Sequence, residues 1–543
     1  MAEADLILEN AVFRTMVSEN DVAEAVAVRD GRIIAVGGRR EIRKLAGSTT
    51  VSIDCGAATG FPGFTDVHTH LLGAAKERCY EINFDAEPPC RSIADVQRKI
   101  RAKVAGLAAG AWVTGGQVRD ERYAERRYPT RRDLDAAAPD NPVYVRSTGS
   151  HITCVNSAAL ALAGVDRNTP DPPGGVIERD PSGEPTGVLR ERARLLFTDG
   201  DRPIIPAYTI DESVAALEAT APDILLRNGI TSVGTMVVDN DEIRAHQVAR
   251  RRGRFPVRTK LQVRVIESGI ALPEMAAVGL MNGFGDELLH IGGVKISVDG
   301  GSLQKNAALY EAYPGEPDNV GVIRIEQQEL DQTIAAAHRC GLRPMVHAIG
   351  DRAYDMTLLA FDRAGTRAAT DHRSRMEHFG NLPVTAKQLE SARRMGVIAS
   401  VQPQFLAVYG DKWVDIFGEE RAGGILPLRT MLDAGVRVVG SSDHGMTTTN
   451  PLVGVQAVVT RRTGEGTLVA PEQAISVYEA LRMYTVDAAW SDFEEHRRGT
   501  IEVGKAADLS FVARDPMTAE TDRIAEIPVT MTVIAGSVAF RVA

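Results

Sequence analysis

The sequence predicts an α/β protein: a (β/α)8 TIM-like barrel, with a β-sandwich built from both chain termini and a subdomain inserted after the first barrel strand. Three observations support this prediction. The chain has 543 residues, which is long enough to bury a large core. Eight apolar, strand-like runs that end in polar residues alternate with helix-like segments. Short strand-like runs at both ends of the chain need a partner sheet to bury one face.

The two ends of the chain predict the β-sandwich. Residues 1–61 contain several short strand-like runs, two of which meet at Asp30–Gly31, a dipeptide typical of tight hairpin turns. Residues 498–543 have the same character, with a hairpin-like turn at Ala535–Ser537. We therefore expect both segments to form one composite sandwich, which leaves residues 62–497 for a metal-binding barrel.

The barrel strands are predicted from eight runs in the middle of the chain. His347 and His378 lie in successive runs, 31 positions apart, which matches the roughly 30 residues of one βα unit. In such barrels the catalytic residues lie at the carboxyl ends of the strands. In chain order the runs are GFPGFTDVHTH, GITSVGTM, VRTKLQVRV, IGGVKISVDGG, RPMVHAIGD, RMEHFG, GVIASVQPQ and VRVVGSSDHG.

One interval is too long for a single βα connection. Roughly 150 residues separate the first two runs, where one helix would suffice, so we expect an inserted subdomain over residues 72–227. The segment GGVIERDPSGEPTGVL within it predicts a β-hairpin that turns at Asp180–Gly183.

Composition excludes several classes of protein. The chain carries 62 basic and 72 acidic residues, a net charge of −10, so we expect no nucleic-acid partner. No apolar run approaches the ~20 residues that span a bilayer, so we expect no membrane partner. The opening residues lack the pattern of a signal peptide, and five cysteines are scattered without CxxC spacing. A cytoplasmic location is expected.

Histidines and an aspartate at the strand ends suggest a metal site. His68 and His70 are alternate residues of one strand, so both imidazoles can face the same point. Taken alone, the pair is equally typical of a polar strand end with two hydrogen-bonded histidines. His347, His378 and Asp443 lie at the ends of three further predicted strands, however, and such ends converge in a closed barrel.

Lys295 is the less obvious member of this set. A lysine between Val294 and Ile296 would ordinarily point outward into solvent or pair with an acid. If it faces inward, it could instead react with carbon dioxide to form a carbamate, an anion able to bridge two divalent ions. Imidazoles, a carboxylate and a carbamate suit zinc, with manganese, iron, cobalt or nickel as substitutes. A metal-bound hydroxide could then carry out hydrolysis.

Several motifs carry a family resemblance. FPGFTDVHTH, VKISVDGG, VHAIGDRA, RMEHFG, SSDHGMTTTNP and GTIEVGKAADLSFV resemble the metal-dependent amidohydrolase superfamily, and specifically amidohydrolase family 3. The resemblance covers nearly the whole chain. It implies a hydrolase that acts on carbon–nitrogen bonds other than peptide bonds.

The resemblance also implies a role for each predicted site residue. His68, His70 and Asp443 would hold a first metal ion, His347 and His378 a second, and carboxylated Lys295 would bridge the two. Asp443 would also be the catalytic proton shuttle, taking a proton during attack and returning it to the leaving amine. The second ion would polarise the scissile carbonyl.

The substrate pocket departs from the family pattern. Many relatives have Asp-Gly-His before VNSAAL, whereas this chain has Gly149-Ser150-His151 and lacks the acid. His151 is a candidate substrate-binding residue, with a local hydrogen bond in the loop as the alternative. Lys305 lies near the position of a family arginine. These departures concern the identity of the substrate.

The expected function is hydrolysis of an N-acyl or N-formyl amine, with a small molecule as substrate. An alternative is the ring opening of a cyclic amide or lactone, or deamination, since the same ions could serve either reaction. A metal-free binding protein with the same fold is a further alternative, because fold alone does not define activity. A homodimer is also expected.

Overall fold

A computed structural model describes residues 3–147, 152–172, 175–198, 204–266 and 272–542. The strands are, in chain order, β1 (Ala4–Arg14), β2 (Val22–Arg29), β3 (Arg32–Gly37), β4 (Ala46–Asp54), β5 (Thr59–Pro62), β6 (Phe64–Thr69), β7 (Ile82–Asn83), β8 (Val113–Val118), β9 (Val143–Ser147), β10 (Ile152–Val155), β11 (Gly175–Arg179), β12 (Pro185–Glu191), β13 (Ile230–Val237), β14 (Arg258–Arg264), β15 (Leu289–Ser297), β16 (Pro344–His347), β17 (Arg375–Glu377), β18 (Ile398–Val401), β19 (Val438–Gly440), β20 (Leu509–Val512), β21 (Val529–Ile534) and β22 (Ser537–Arg541).

The α-helices are, in chain order, α1 (Arg39–Ile42), α2 (Leu71–Tyr80), α3 (Ile93–Val104), α4 (Arg131–Asp135), α5 (Ser157–Leu162), α6 (Leu195–Thr198), α7 (Ile210–Ile224), α8 (Asn240–Arg252), α9 (Leu272–Ala277), α10 (Gln327–Arg339), α11 (Asp351–Arg363), α12 (Ala386–Met395), α13 (Pro403–Ala422), α14 (Leu428–Asp433), α15 (Pro451–Thr460), α16 (Val477–Arg482) and α17 (Val486–Ser491). Within the described part of the chain, no helix has both the length and the apolar character that crossing a membrane requires.

Eight parallel strands form the barrel, in the spatial order β6, β13, β14, β15, β16, β17, β18, β19. A backbone bridge between Thr69 and His444 brings the ends of the first and last strands together, so the sheet is nearly closed. Strand β13 is buried along its whole length, as expected where helices cover the outside of a parallel sheet. All eight runs singled out in the sequence form barrel strands, and the prediction of a TIM-like barrel is confirmed.

Helices between the barrel strands begin and end at residues suited to those positions. The Asp239 side chain caps α8 by accepting a hydrogen bond from the Glu242 N–H, and Gly253 ends this helix with a left-handed backbone (φ 69°). Helix α12 begins at a capping box of Thr385 and Gln388 and ends at Gly396 (φ 68°). These capping residues fix where each helix begins and ends, and the chain then continues into the next barrel strand.

Strands from both termini form one hydrogen-bonded sheet, in the order β22, β21, β20, β5, β1, β2, β3, with β4 paired to β1. The expected turn at Asp30–Gly31 joins β2 to β3, and both of its residues have positive φ. Phe13 and Phe511 pack edge to face, with ring centroids 5.6 Å apart. The two chain ends therefore share a sheet; its closure into a β-sandwich stays a prediction.

Residues Leu72–Ala219 form a compact unit of their own. Its sheet has the order β11, β12, β10, β9, β8, β7, and its core contains Val96, Ile100 and Val143. The expected hairpin forms between β11 and β12, with the Asp180 carboxylate accepting hydrogen bonds from the Ser182 and Glu184 N–H groups in the turn. The assignment of residues 72–227 as an inserted domain stays a prediction.

Candidate metal centre

The ends of the barrel strands bring the six predicted metal ligands to one region. Each comes from a strand or from the residues directly after it, as the barrel architecture requires. They are His68 in β6 and His70 just after it, Lys295 in β15, His347 at the end of β16, His378 just after β17 and Asp443 shortly after β19.

The Asp443 carboxylate lies at the centre of the first predicted ligand set. Its Oδ1 atom is 3.4 Å from His68 Nε2 and 3.3 Å from His70 Nε2. The same oxygen is buried and makes no hydrogen bond with any described residue. Ligand atoms of His68, His378 and Asp443 all lie within 4.8 Å of one another. Such convergence of nitrogen and carboxylate donors is typical of a metal site.

The second predicted pair lies beside the first. The imidazole rings of His347 and His378 are 4.6 Å apart, and the His378 ring is 5.1 Å from that of His68. His347 Nε2 lies 3.5 Å from the Gly300 carbonyl oxygen and 3.7 Å from Asp299 Oδ1. The other ring nitrogen, Nδ1, is then the atom with which His347 could bind a metal ion. The structure therefore brings both pairs of histidines together.

Two of the imidazoles are held through their Nδ1 atoms. His68 Nδ1 lies 2.7 Å from Glu377 Oε2, and His378 Nδ1 lies 2.6 Å from Gln402 Oε1. Because these oxygens accept a hydrogen bond from the Nδ1–H group, the lone pair of each ring is placed on Nε2. Burial lowers the pKa of His68 to about 3 and also lowers the pKa of His378. Neutral imidazole is the form that binds a metal ion.

The backbone conformation is unusual at Asp443 and His378, the two predicted ligands that follow the ends of β19 and β17. Asp443 and His378 both have left-handed backbones, with φ of 51° and 71°. The Asp443 N–H donates to the His68 carbonyl oxygen at 3.0 Å, so the end of β19 is tied to β6. Positive φ is uncommon for residues other than glycine and is concentrated at functional sites.

Lys295 points to the same region. Its side chain is buried at 5% exposure, and Nζ has no hydrogen-bond partner in the described part of the chain. Burial lowers the pKa of Lys295 to about 8, against the opposing effect of Glu377 and Asp443. A buried ammonium without a partner is costly, whereas a neutral amine is both cheaper to bury and reactive.

The charge of Asp443 is set by its neighbours. Burial opposes ionisation, but the imidazoles of His68 and His70 outweigh it and hold the pKa of Asp443 well below its usual range. The carboxylate is therefore ionised at neutral pH. An anionic oxygen among histidines is a donor set that fits divalent ions.

Sequence reasoning missed several buried residues around the ligands. Asp66 accepts hydrogen bonds from the Ser442 hydroxyl at 2.5 Å and the Ser442 N–H at 3.1 Å, next to Asp443. Glu377 and Gln402 hold the two imidazoles as described above. The sequence did contain a signal for Glu377. Arg375 and Glu377 are charged alternate residues of one short barrel strand, so both project from the same side of it.

Two predicted specificity residues have different outcomes. His151 lies outside the described residues, so its role in substrate binding stays a prediction. Lys305 is described, and its Nζ atom is 2.6 Å from Glu316 Oε1, which makes it part of an ion pair. Its left-handed backbone (φ 57°) lies in the turn that follows β15.

Comparison with known proteins identifies the family of this chain. The model of a family described as the amidohydrolase family matches residues 52–540. The chain is similar to N-substituted formamide deformylase from Arthrobacter pascens, with 31% identity over 540 residues that cover 98% of this chain and 97% of that protein.

Two solved structures of metal-dependent hydrolases share the fold. The protein from Pyrococcus horikoshii has a TM-score of 0.78 and 24% identity, and the match covers 95% of this chain and 99% of that one. The protein from Pyrococcus furiosus has a TM-score of 0.76 and 26% identity, covering 94% and 100%. Taken with the family match over residues 52–540, these comparisons show that the chain belongs to the amidohydrolase family and is a metal-dependent hydrolase of carbon–nitrogen bonds.

Proposed function

We propose that this chain is a two-metal hydrolase that cleaves N-acyl or N-formyl amines into a carboxylate and a free amine. The observation that carries the proposal is the convergence of His68 and His70 on one carboxylate oxygen of Asp443, beside His378. The similarity to N-substituted formamide deformylase supports the choice of substrate class.

Each ion has its own proposed ligands. His68, His70 and Asp443 would hold the first ion, and His347 and His378 the second. Lys295, as a carbamate, would join them; its buried Nζ, which no described residue contacts through a hydrogen bond, supports this role. Zinc suits these donors best, and manganese, iron, cobalt or nickel could replace it. When bound, the ions would act as Lewis acids that lower the pKa of water and polarise the substrate carbonyl.

The residues of the chain would move the proton. Asp443 would accept a proton at a carboxylate oxygen as water attacks the amide carbon, and then donate it to the nitrogen as the carbon–nitrogen bond breaks. Water thus supplies the hydroxyl group of the acid and one hydrogen of the amine. The position of the Asp443 Oδ1 atom, 3.4 Å from His68 Nε2 and 3.3 Å from His70 Nε2, supports this role.

A screen of substrates tests this function. Zinc-loaded protein is incubated with N-formyl amines, other N-acyl amines, cyclic amides, lactones and aminated heterocycles, and the products are quantified. We expect equal amounts of carboxylate and free amine from the acyclic amides. A single ring-opened product or ammonia would support the alternative of a ring-opening hydrolase or deaminase. A protein that holds ions but turns over none of these classes would contradict the proposal.

We expect Lys295→Ala to lose most of the occupancy of the two-ion site, since no other residue of the ligand set supplies the bridging anion. Elemental analysis of the variant gives the occupancy, and Lys305→Ala, at an ion-paired lysine after the same strand, is the control. Short carboxylic acids with bicarbonate should restore part of the occupancy. An unmodified ammonium at Lys295 in a fully metallated crystal structure would contradict the carbamate.

Other expectations extend the proposal. We propose that His151 contacts the substrate, that the terminal sheet closes into a β-sandwich, and that the protein works as a homodimer in the cytoplasm. The scattered cysteines support the location, and two separate apolar clusters on the terminal strands, one around Leu8 and one around Ile7, support the sandwich.

A further inference from the structure

Behind His68, buried charged side chains form a connected row. His68 Nδ1 lies 2.7 Å from Glu377 Oε2, and Arg375 Nε donates to Glu377 Oε1 at 2.7 Å. The side chains of all three residues are at most 1% exposed. Arg375 and Glu377 are alternate residues of β17, so they project from the same side of the strand.

Arg375 crosses the interior of the barrel. Its Nη2 atom donates to the Val67 carbonyl oxygen at 2.9 Å and to Gln262 Oε1 at 3.2 Å. These partners lie in β6 and β14, neither of which is a neighbour of β17 in the sheet. Gln262 Nε2 donates to the same Val67 oxygen at 2.9 Å. One guanidinium thus holds both the backbone before His68 and the carboxylate that contacts the His68 ring.

The row continues away from the predicted ligands. Arg375 Nη1 is 3.7 Å from Asp492 Oδ1, and Asp492 also accepts hydrogen bonds from Arg343 Nη2 at 3.1 Å and from Lys260. These side chains are at most 2% exposed. A buried charge is stable only when its partners are fixed, so each member limits the movement of the next.

We propose that Arg375 and Glu377 are positioning residues for metal binding at His68. The Glu377 carboxylate fixes the ring so that Nε2 faces Asp443, and Arg375 fixes that carboxylate relative to the backbone of β6. An imidazole held in this way needs no reorientation to bind an ion, and carboxylates that contact ligand histidines commonly raise metal affinity. The inference rests on the proposed function, because it takes His68 as a metal ligand.

The test is the affinity of the full-length protein for Zn²⁺, measured by competition with a chromogenic chelator. Glu377→Gln keeps the size of the side chain but removes its charge. We expect this change to weaken the binding of zinc by about 10–100-fold. Thermal unfolding with and without Zn²⁺ is a second readout, and the stabilisation by zinc should shrink in parallel.

Asp508→Asn is the matched control. Asp508 is also a buried carboxylate held by an arginine, since Arg258 Nε donates to it at 2.6 Å and the two side chains are 2% and 7% exposed. Both variants lose the charge of a buried acid and should lose stability. Only Glu377→Gln is expected to lower zinc affinity. Equal affinity in the two folded variants would assign Glu377 a purely structural role and overturn the inference.

Arg375→Lys decides the question if Glu377→Gln does not fold. Lysine keeps the positive charge, but its single ammonium group cannot make the separate hydrogen bonds that the guanidinium of Arg375 donates to Glu377, Val67 and Gln262. We expect weaker zinc binding in this variant, and wild-type affinity would overturn the inference. A wild-type chain that binds no divalent ion would overturn the proposed function as well, so the two failures are distinguishable.

Discussion

Asp443→Asn is expected to reduce turnover by about 10²–10⁴-fold, the range typical of losing a general acid–base group. The amide of asparagine has nearly the same size and keeps one oxygen, but it cannot accept a proton as the carboxylate does. Asparagine also tolerates the left-handed backbone at this position (φ 51°). The variant should therefore fold, and chemistry should fail more than substrate binding does.

The measurement is steady-state turnover together with metal content. The metal content distinguishes loss of the proton shuttle from loss of a metal ligand. If the variant also loses the first ion, turnover should fall by more than the expected range. Asp508→Asn, a buried aspartate paired with Arg258, is the control and should keep wild-type turnover. Near wild-type turnover by Asp443→Asn with both ions bound would contradict the role of Asp443. His151 and His444 would then be the next residues to test.

Removal of the metal ions is expected to abolish turnover. In the proposed mechanism the group that attacks the amide comes from water and not from a side chain, and burial keeps His68 and His378 neutral. Activation of water at neutral pH therefore depends on the ions. Treatment with a strong chelator followed by dialysis should leave no activity, and added zinc or manganese should restore it.

Chelated protein should remain folded, which circular dichroism and thermal unfolding can verify. An apolar cluster that includes Val237, Leu261 and Val294 packs in the barrel region without any of the metal ligands, so only the additional stability from metal binding should be lost. Full activity of a folded protein after complete removal of the ions would contradict the mechanism.

The sequence was sufficient for the barrel strands and for the strand ends at which the predicted ligands lie. A parallel strand covered on both faces is an apolar run, and its carboxyl end is marked by the first polar residues. The pattern of residues alone therefore places His347 and His378 at neighbouring strand ends. Once eight strands close into a barrel, the ends of β6 and β19 must meet, and the bridge from Thr69 to His444 agrees.

Contacts across the barrel could not be predicted in the same way. The pairing of Glu377 with His68 joins β17 to β6, which are not neighbours in the sheet, so it depends on strand stagger and side-chain length. The hydrogen bond from Arg375 to Val67 depends on the same stagger. A local pattern carries no information about either. Parallel pairing of β4 with β1 was missed because local spacing suggests only hairpin partners.

The order of strands in the inserted unit was also beyond the sequence pattern. The hairpin of β11 and β12 has a turn signature at Asp180, and the sequence predicted this hairpin correctly. Strands β7 and β8 pair in parallel across a helix, and β7 has only two residues. A strand this short has no detectable periodicity.

The most direct test is a titration of metal-free protein with Zn²⁺, in which bound zinc and hydrolysis of an N-formyl amine are measured in the same samples. The ligand sets around His68, His70 and Asp443 and around His347 and His378 predict no turnover without metal and a plateau near two ions per chain. Full turnover in samples that contain no metal would contradict the proposed mechanism, and a plateau at one ion would contradict the two-ion site.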